Sequence, residues 1–369
     1  MFLPWAVLLE YNWRKNMKKT ILLLMVILFG LSFSSCANNS NKDKILVTDM
    51  SGAEVYIPKK PKKVAAVSPS TGDLMVAFGL GDILDGTYYS VTNNPWVEEI
   101  YPESKDFFGY DYDLSVEAFI ERGVDLIFIP EPATAKNLRD HGLNALCIRQ
   151  FAETGYGDYV FYFSNIVKQI WGEKVSEKVD MWQNEFSAAI TEVSTKIKNA
   201  NYDKRTLYYV CGDKDRGLGY TDLGKSLLEY VYDEMNIDFV CNRFETNKPS
   251  AEAVLSVDPD IVVIGGIYQQ YLLQQIEVQE PWNQLRAVKE NQVFNIPVAF
   301  VSFEQTCAES PLFVYDMANK LYPELFDYDM EKLTKECIKK YFNYDLTDSD
   351  VQNMLNGLDK NGEPLIWKE

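Results

Sequence analysis

The sequence predicts an α/β protein: two doubly wound parallel-sheet lobes joined by one long spinal helix. Three observations lead there. Residues 172–200 (GEKVSEKVDMWQNEFSAAITEVSTKIKNA) hold no proline and one glycine, at the very start. Their apolar residues Val175, Val179, Trp182, Phe186, Ile190, Val193 and Ile197 fall three or four apart, which is helix spacing. Such a helix runs roughly 40 Å at about 1.5 Å per residue. Short apolar runs of the buried-strand type alternate with helical patterns before it, and the same alternation resumes after it. That order predicts parallel sheets covered by helices.

The chain of 369 residues is long enough for two such domains. It is 47% hydrophobic, with 23 Tyr, 20 Phe and 7 Trp. A formal net charge of −18 argues against a nucleic-acid partner, which would need a basic face. The N-terminus is not part of the fold. Met17-Lys18-Lys19 is basic, residues 21–31 (ILLLMVILFGL) are apolar, and SFSSC ends at Cys36. This is the plan of a signal peptide over 1–35, too short in its apolar run to span a membrane comfortably. Met17 reads as the true start, with 1–16 a misassigned extension. Cys36 after two serines resembles the lipobox of bacterial lipoproteins, which implies a lipidated Cys36 and an exported, membrane-anchored protein facing the periplasm or cell exterior. Residues 36–44 (CANNSNKDK) then form a flexible, lipidated tether.

The N-terminal lobe is assigned to 45–171. Residues 45–57 (ILVTDMSGAEVYI) alternate about Ser51-Gly52 and read as a β-hairpin. Strands follow at 64–67, 81–88, 124–129 and 144–148. Helices are expected at 72–79, with Ser70 or Thr71 as cap and Asp73 in the first turn, and at 115–122, 133–141 and 157–171. The linking helix takes 172–200. The C-terminal lobe, 201–369, has strands at 206–211, 237–240, 260–264 and 292–296. Its helices are at 223–233, 250–256, 268–278, 311–321, 330–341 and 348–356.

Cys147, Cys211, Cys241, Cys307 and Cys337 show no CxxC spacing and no nearby histidine, so a zinc site is not expected. Cys211 and Cys241 end strands of one lobe and are candidates for a disulfide. The one histidine, His141, excludes a site of several histidine ligands; with Gly142 it reads as a helix C-terminus. The glycine-rich residues 212–219 lack the GxxxxGK[ST] phosphate-loop spacing.

Residues 47–87 (VTDMSGAEVYIPKKPKKVAAVSPSTGDLMVAFGLGDILDGT) resemble the opening of the class III periplasmic binding proteins that serve ABC importers of iron-siderophore, haem and cobalamin. So do the paired blocks SVEAFIERGVDLIFIPE and SAEAVLSVDPDIVVIGG, one per lobe, and NIPVAFVSFEQTCAESPLFVYDMANKLYPELF near the C-terminus. The likeness runs roughly from Val47 to Tyr344. It implies two lobes on one long helix, no catalysis and no cofactor. It also implies docking of a surface glutamate of each paired block, here Glu117 and Glu252, onto the permease. Each follows a serine at a helix N-terminus, where a carboxylate suits the helix dipole on its own account. Gly123 stands where the resembled block has proline.

Ligands of open α/β sheets bind beyond the carboxyl ends of the strands. This selects Ser70, Tyr88, Tyr110, Glu131 and Tyr156 from the first lobe. From the second it selects Lys214, Tyr220, Arg243, Tyr268 and Phe300. Aromatic faces suit a bulky conjugated ligand, and Lys214, Arg216 and Arg243 suit an anionic one. The expected function is capture of an iron chelate, haem or corrinoid and its delivery to the transmembrane subunits of an ABC permease. The protein is expected to be a monomer. Within the same fold the alternatives are a molybdate-like oxyanion, or bare ferric ion held by Tyr88, Tyr110 and Glu131. The alternative of another class is a secreted, carboxylate-dependent glycan-acting enzyme, for which Asp111/Asp113 and Glu304/Glu309 are the candidate pairs.

Overall fold

The computed structural model describes residues 42–149 and 156–366. The signal segment, Cys36 and residues 150–155 lie outside them. One compact unit beginning at Val47 holds both large sheets. The expected hairpin is present as β1 (Lys44–Thr48) and β2 (Glu54–Pro58).

The first large sheet comprises β3 (Val64–Ala66), β4 (Leu84–Tyr88), β5 (Phe108–Tyr110), β6 (Leu126–Ile129) and β7 (Ala145–Cys147). Its order is β5-β4-β3-β6-β7 and every pairing is parallel. The second comprises β8 (Arg205–Val210), β9 (Ile237–Phe239), β10 (Ile261–Ile264) and β11 (Val293–Asn295), in the order β11-β10-β8-β9, again parallel throughout. Each chain path starts in the interior of its sheet, runs to one edge, then returns to build the other. The reversal falls between β3 and β6 in one sheet and between β8 and β10 in the other. Parallel strands covered on both faces are continuously apolar, and β6 and β10 are buried at all four positions.

The helices of the first lobe are α1 (Pro69–Ala77), α2 (Tyr89–Thr92), α3 (Pro95–Ile100), α4 (Val116–Arg122), α5 (Pro132–Asp140) and α6 (Tyr162–Trp171). The spine is α7 (Glu173–Ala200). Beyond it come α8 (Leu227–Glu234), α9 (Ala251–Val257), α10 (Gln269–Val278), α11 (Arg286–Lys289), α12 (Ser310–Leu321), α13 (Met330–Phe342) and α14 (Asp348–Leu355). Among the described residues no helix is long and apolar enough to cross a membrane.

The spine has the bounds its periodicity predicts. All seven apolar positions are buried, and the helix ends where Asn201 turns left-handed at φ 54°. Its buried stripe packs on α6 and α12. Trp182 is its anchor: the ring lies within about 6 Å of Phe78, Phe161 and Phe186 and its Nε1 donates to the Cys307 carbonyl at 2.8 Å.

Helix α1 departs from expectation. It begins three residues early, with Ser68 as N-cap and Pro69 in the first turn, because proline's fixed φ is pre-set for that position. Asp73 therefore does not serve a first turn; it is fully buried and faces the other lobe. The 157–171 helix begins instead at Tyr162, after a short 3₁₀ turn at Tyr156–Asp158. No disulfide joins Cys211 and Cys241, and all five described cysteines are free. Cys241 Sγ instead accepts the Tyr209 amide at 3.1 Å.

Side chains bridge the two lobes. Asn94 Nδ2 donates to the carbonyls of Ala299 (2.9 Å) and Phe300 (3.1 Å), and Trp96 Nε1 to that of Leu358 (2.8 Å). Lys178 Nζ, on the spine, donates to Ala77 O at 2.8 Å and Tyr341 O at 3.3 Å.

Candidate ligand-binding cleft

The two chain reversals face a common space. A crevice opens at the carboxyl ends of strands on either side of such a reversal. Ser68 to Thr71 follow β3, and Pro130 and Glu131 follow β6. Cys211 follows β8, and Gly266 and Ile267 follow β10. All of them line one cleft of about 1030 Å³. Its walls carry Tyr112, Tyr156, Tyr159, Tyr209 and Tyr220 as well.

Of the ten ligand residues expected from sequence, five line this cleft: Ser70, Glu131, Tyr156, Tyr220 and Phe300. Tyr156 reaches across to Thr306, their hydroxyls hydrogen-bonded. Tyr220 carries the Arg216 guanidinium over its ring at 4.2 Å, and Arg216 Nε is held by Asp213 Oδ2 at 2.7 Å. Glu131 pairs with Arg149 at 3.5 Å. Phe300 belongs to the wall rather than its surface, fully buried with its ring stacked on Phe342 at 5.1 Å.

The other five stand elsewhere. Tyr88 stacks on Tyr112 at 4.3 Å, behind the ring that lines the cleft. Tyr110 is fully buried; its hydroxyl donates to Asp85, which also takes Arg122 and, at 3.0 Å, Lys63 Nζ. Lys214 is exposed, 6.0 Å from the Tyr268 ring. Arg243 is paired with Asp238. Tyr88, Tyr110 and Glu131 are thus not gathered at one surface, as direct ferric coordination would need.

The carboxylate pairs of the enzyme alternative are not assembled either. Asp111 and Asp113 are exposed and outside the cleft lining. Glu304 lines the cleft, but Glu309 is buried behind it. Glu304 accepts Tyr209 OH at 2.9 Å, the Gly266 amide at 3.2 Å and Ser302 Oγ. Burial raises its carboxyl above the ordinary glutamate value despite these donors.

Sequence reasoning missed Tyr112, Arg149, Tyr159, Asp222 and Asn247 of the lining. It also read the glycine-rich loop in one register only. Residues 219–226 (GYTDLGKS) do satisfy GxxxxGKS and do precede a helix, α8. The structure does not use them as a phosphate loop. The Gly224 amide donates to Asp222 Oδ1 at 2.7 Å and the Lys225 amide to Glu229 Oε2 at 2.5 Å. The chain's own carboxylates thus hold amides that a phosphate would need. The loop also starts well past Val210, the end of β8.

The two paired blocks are equivalent in structure. Ser115 Oγ caps α4 through the Ala118 amide at 3.3 Å, and Ser250 Oγ caps α9 through the Ala253 amide at 3.2 Å. Glu117 and Glu252 occupy the same place in each first turn, and both are exposed. Gly123 ends α4 at φ +63°, a left-handed position that glycine takes without strain.

Two α/β lobes, joined by a single long helix, thus enclose one shared cleft. Residues 171–299 match the family model described as "Periplasmic binding protein". An uncharacterized ABC transporter substrate-binding lipoprotein of Bacillus subtilis, YvrC, is 24% identical over 302 residues, 76% of this chain and 87% of the relative. The molybdate-bound protein MolA of Haemophilus influenzae superposes with a TM-score of 0.68 at 17% identity, covering 82% of this chain and 99% of that one. A protein of the ABC-type Fe3+-hydroxamate transport system of Saccharomonospora viridis gives 0.60 at 16% identity, covering 75% and 99%. The fold is that of the periplasmic binding proteins.

Proposed function

We propose that this chain is an extracytoplasmic substrate-binding lipoprotein that captures an iron complex (siderophore or haem) or a corrinoid and delivers it to an ABC permease. The observation that carries the ligand class is the cleft: about 1030 Å³, walled by tyrosines from both lobes. A hydrated oxyanion would fill a small part of it. A chelate or macrocycle presents flat conjugated faces that tyrosine rings cover while their hydroxyls reach polar edges. Ser70, Tyr156, Tyr220, Arg149 and Arg216 are the proposed contacts. Residues 45–171 and 201–369 are the proposed lobes, 172–200 the link, and Cys36 the lipid attachment.

Native mass spectrometry and calorimetric titration against ferric siderophores, haem, cobalamin and molybdate test the reading. One tight 1:1 complex with a chelate, haem or corrinoid is expected. Binding of molybdate alone, or turnover of any glycan in a panel, overturns it. Delivery is tested separately: a Glu117→Ala/Glu252→Ala protein is expected to bind normally and fail in uptake. Unchanged uptake, with the protein present at the membrane, removes the docking assignment.

A further inference from the structure

Behind the cleft, two carboxyl groups meet across the junction of the lobes. Asp73 is on α1 and Glu309 is the N-cap of α12; both are 0% exposed. Asp73 Oδ1 accepts the Ala308 amide at 2.7 Å. Asp73 Oδ2 and both Glu309 oxygens have no hydrogen-bond partner. Ligating atoms of Asp73, Cys307 and Glu309 lie within 4.8 Å of one another. A buried carboxylate oxygen without a donor is strongly unfavourable. Two ionised carboxylates at such range, in low dielectric, repel.

We propose that Asp73 and Glu309 share a proton across the lobe junction, and that this proton ties the two walls of the cleft together. A proton on either carboxyl makes a donor for the other and removes the mutual repulsion. The elements packed around the pair supply no charge that would do this instead. Cys307 precedes α12, and its thiol is pushed well up by burial and by the two carboxylates. Cys337, on α13, is raised likewise. Lys340, also on α13, is paired with Glu185 of the spine, and Lys178 of the spine is held by the carbonyls of Ala77 and Tyr341. A cation would find three donor atoms, one short of a closed tetrahedral site. The pair ties together functional surfaces: Ser68–Thr71 with Leu74 on one side of it, and Val298, Phe300–Ser302 and Glu304–Thr306 on the other, line the cleft.

Burial raises both carboxyls, Glu309 to about 7 and Asp73 well above its ordinary value. The sign follows. The unfolded chain releases the shared proton near the ordinary carboxylate values, while the fold keeps it. Stability from the pair is complete below about pH 4 and is lost as pH rises through the raised values of the folded pair, about 7 for Glu309. The cleft walls then lose a tie, so the inference does not depend on which ligand is carried.

The test uses the full ligand-free chain as wild type, Glu309→Gln and Asp73→Asn. Infrared difference spectra near pH 5 are expected to show a protonated-carboxyl C=O band present in wild type and lost in each variant. The fall of Tm with rising pH is expected to be about half as steep, or less, in the variants. Should the variants not fold, hydrogen exchange of wild type decides. Protection of the Ala308 amide, corrected for intrinsic exchange, is expected to drop as pH rises past about 7. No carboxyl band assignable to the pair, an unchanged Tm slope, pH-independent Ala308 protection, or a stoichiometric divalent metal in purified wild type overturns the proposal.

Discussion

Tyr110 and Tyr112 stand two positions apart and serve different ends. Tyr110 closes a buried network on Asp85, while Tyr112 lines the cleft and stacks on Tyr88. β5 ends at Tyr110, so Tyr112 lies past the strand, where alternation no longer sets which way a side chain points. Asp85 is the residue on which that corner depends. Burial pushes its carboxyl up, but hydrogen bonds from Arg122, Tyr110 and Lys63 outweigh burial and hold it below the ordinary 3.8. Asp85→Asn leaves a half-buried guanidinium short of its partner and is expected to cost about 2–4 kcal/mol in urea unfolding; a loss under ~0.5 kcal/mol would show the network to be idle. The free cysteines give a second expectation at this scale. Burial raises the Cys241 thiol to about 12, so it stays protonated and inert. Dithiothreitol should leave Tm unchanged, and a drop would reveal a cross-link.

The spine was legible to the residue, because 28 residues of unbroken period three-to-four leave no competing reading. The parallel strands other than β5 were legible from their apolar runs, with ends off by up to three positions, as at β4, where residues 81–83 form a 3₁₀ turn. The one-turn helices α2, α3 and α11 were not read, since four to six residues carry no period. α1 starts three residues before the expected Gly72 because Pro69, whose fixed φ suits a first turn, opens it with Ser68 as N-cap. Trp182 shows what the spine does. It is fully buried, touches three aromatic rings and bonds a carbonyl of the 298–309 segment. Trp182→Ala is expected to destabilise by about 3–5 kcal/mol through the cavity it opens, read by chemical denaturation. The same helix, continuous and locked to both lobes, resists hinge bending. Free and loaded structures are expected to differ by a small lobe rotation, and one beyond about 20° would contradict the spine's role.

The cleft was only half legible because it is assembled from residues far apart in sequence. Asn94 meets Ala299, Tyr156 meets Thr306, and Asp73 meets the amide of Ala308. Strand-end reasoning places a loop at the cleft but not the direction of a side chain within it, which is why it points to Lys214 and Arg243 and passes over Tyr112 and Arg149. The pairings have a consequence for the whole molecule, which holds two opposed sets of carboxyls. Asp85, Asp213 and Asp260 lie below their ordinary value, burial being outweighed by arginine, lysine and backbone donors. Their stabilisation is present above about pH 4 and lost as pH falls further. Asp73, Asp222, Glu304, Glu309 and Asp316 are raised, chiefly by burial. Their stabilisation is present below the ordinary carboxylate range near pH 4 and is lost as pH rises through each group's raised value, about 7 for Glu309. Net charge works in the same direction, since a chain at −18 repels itself more as its remaining carboxyls ionise. Maximum stability is therefore expected on the acid side of neutrality, between about pH 4 and 6. Thermal unfolding across the pH range, in low and moderate salt, measures it. Salt should lift the alkaline limb where self-repulsion contributes and leave the part due to buried carboxyls. A maximum at pH 8 or above would mean that the buried acids are not protonated in the fold.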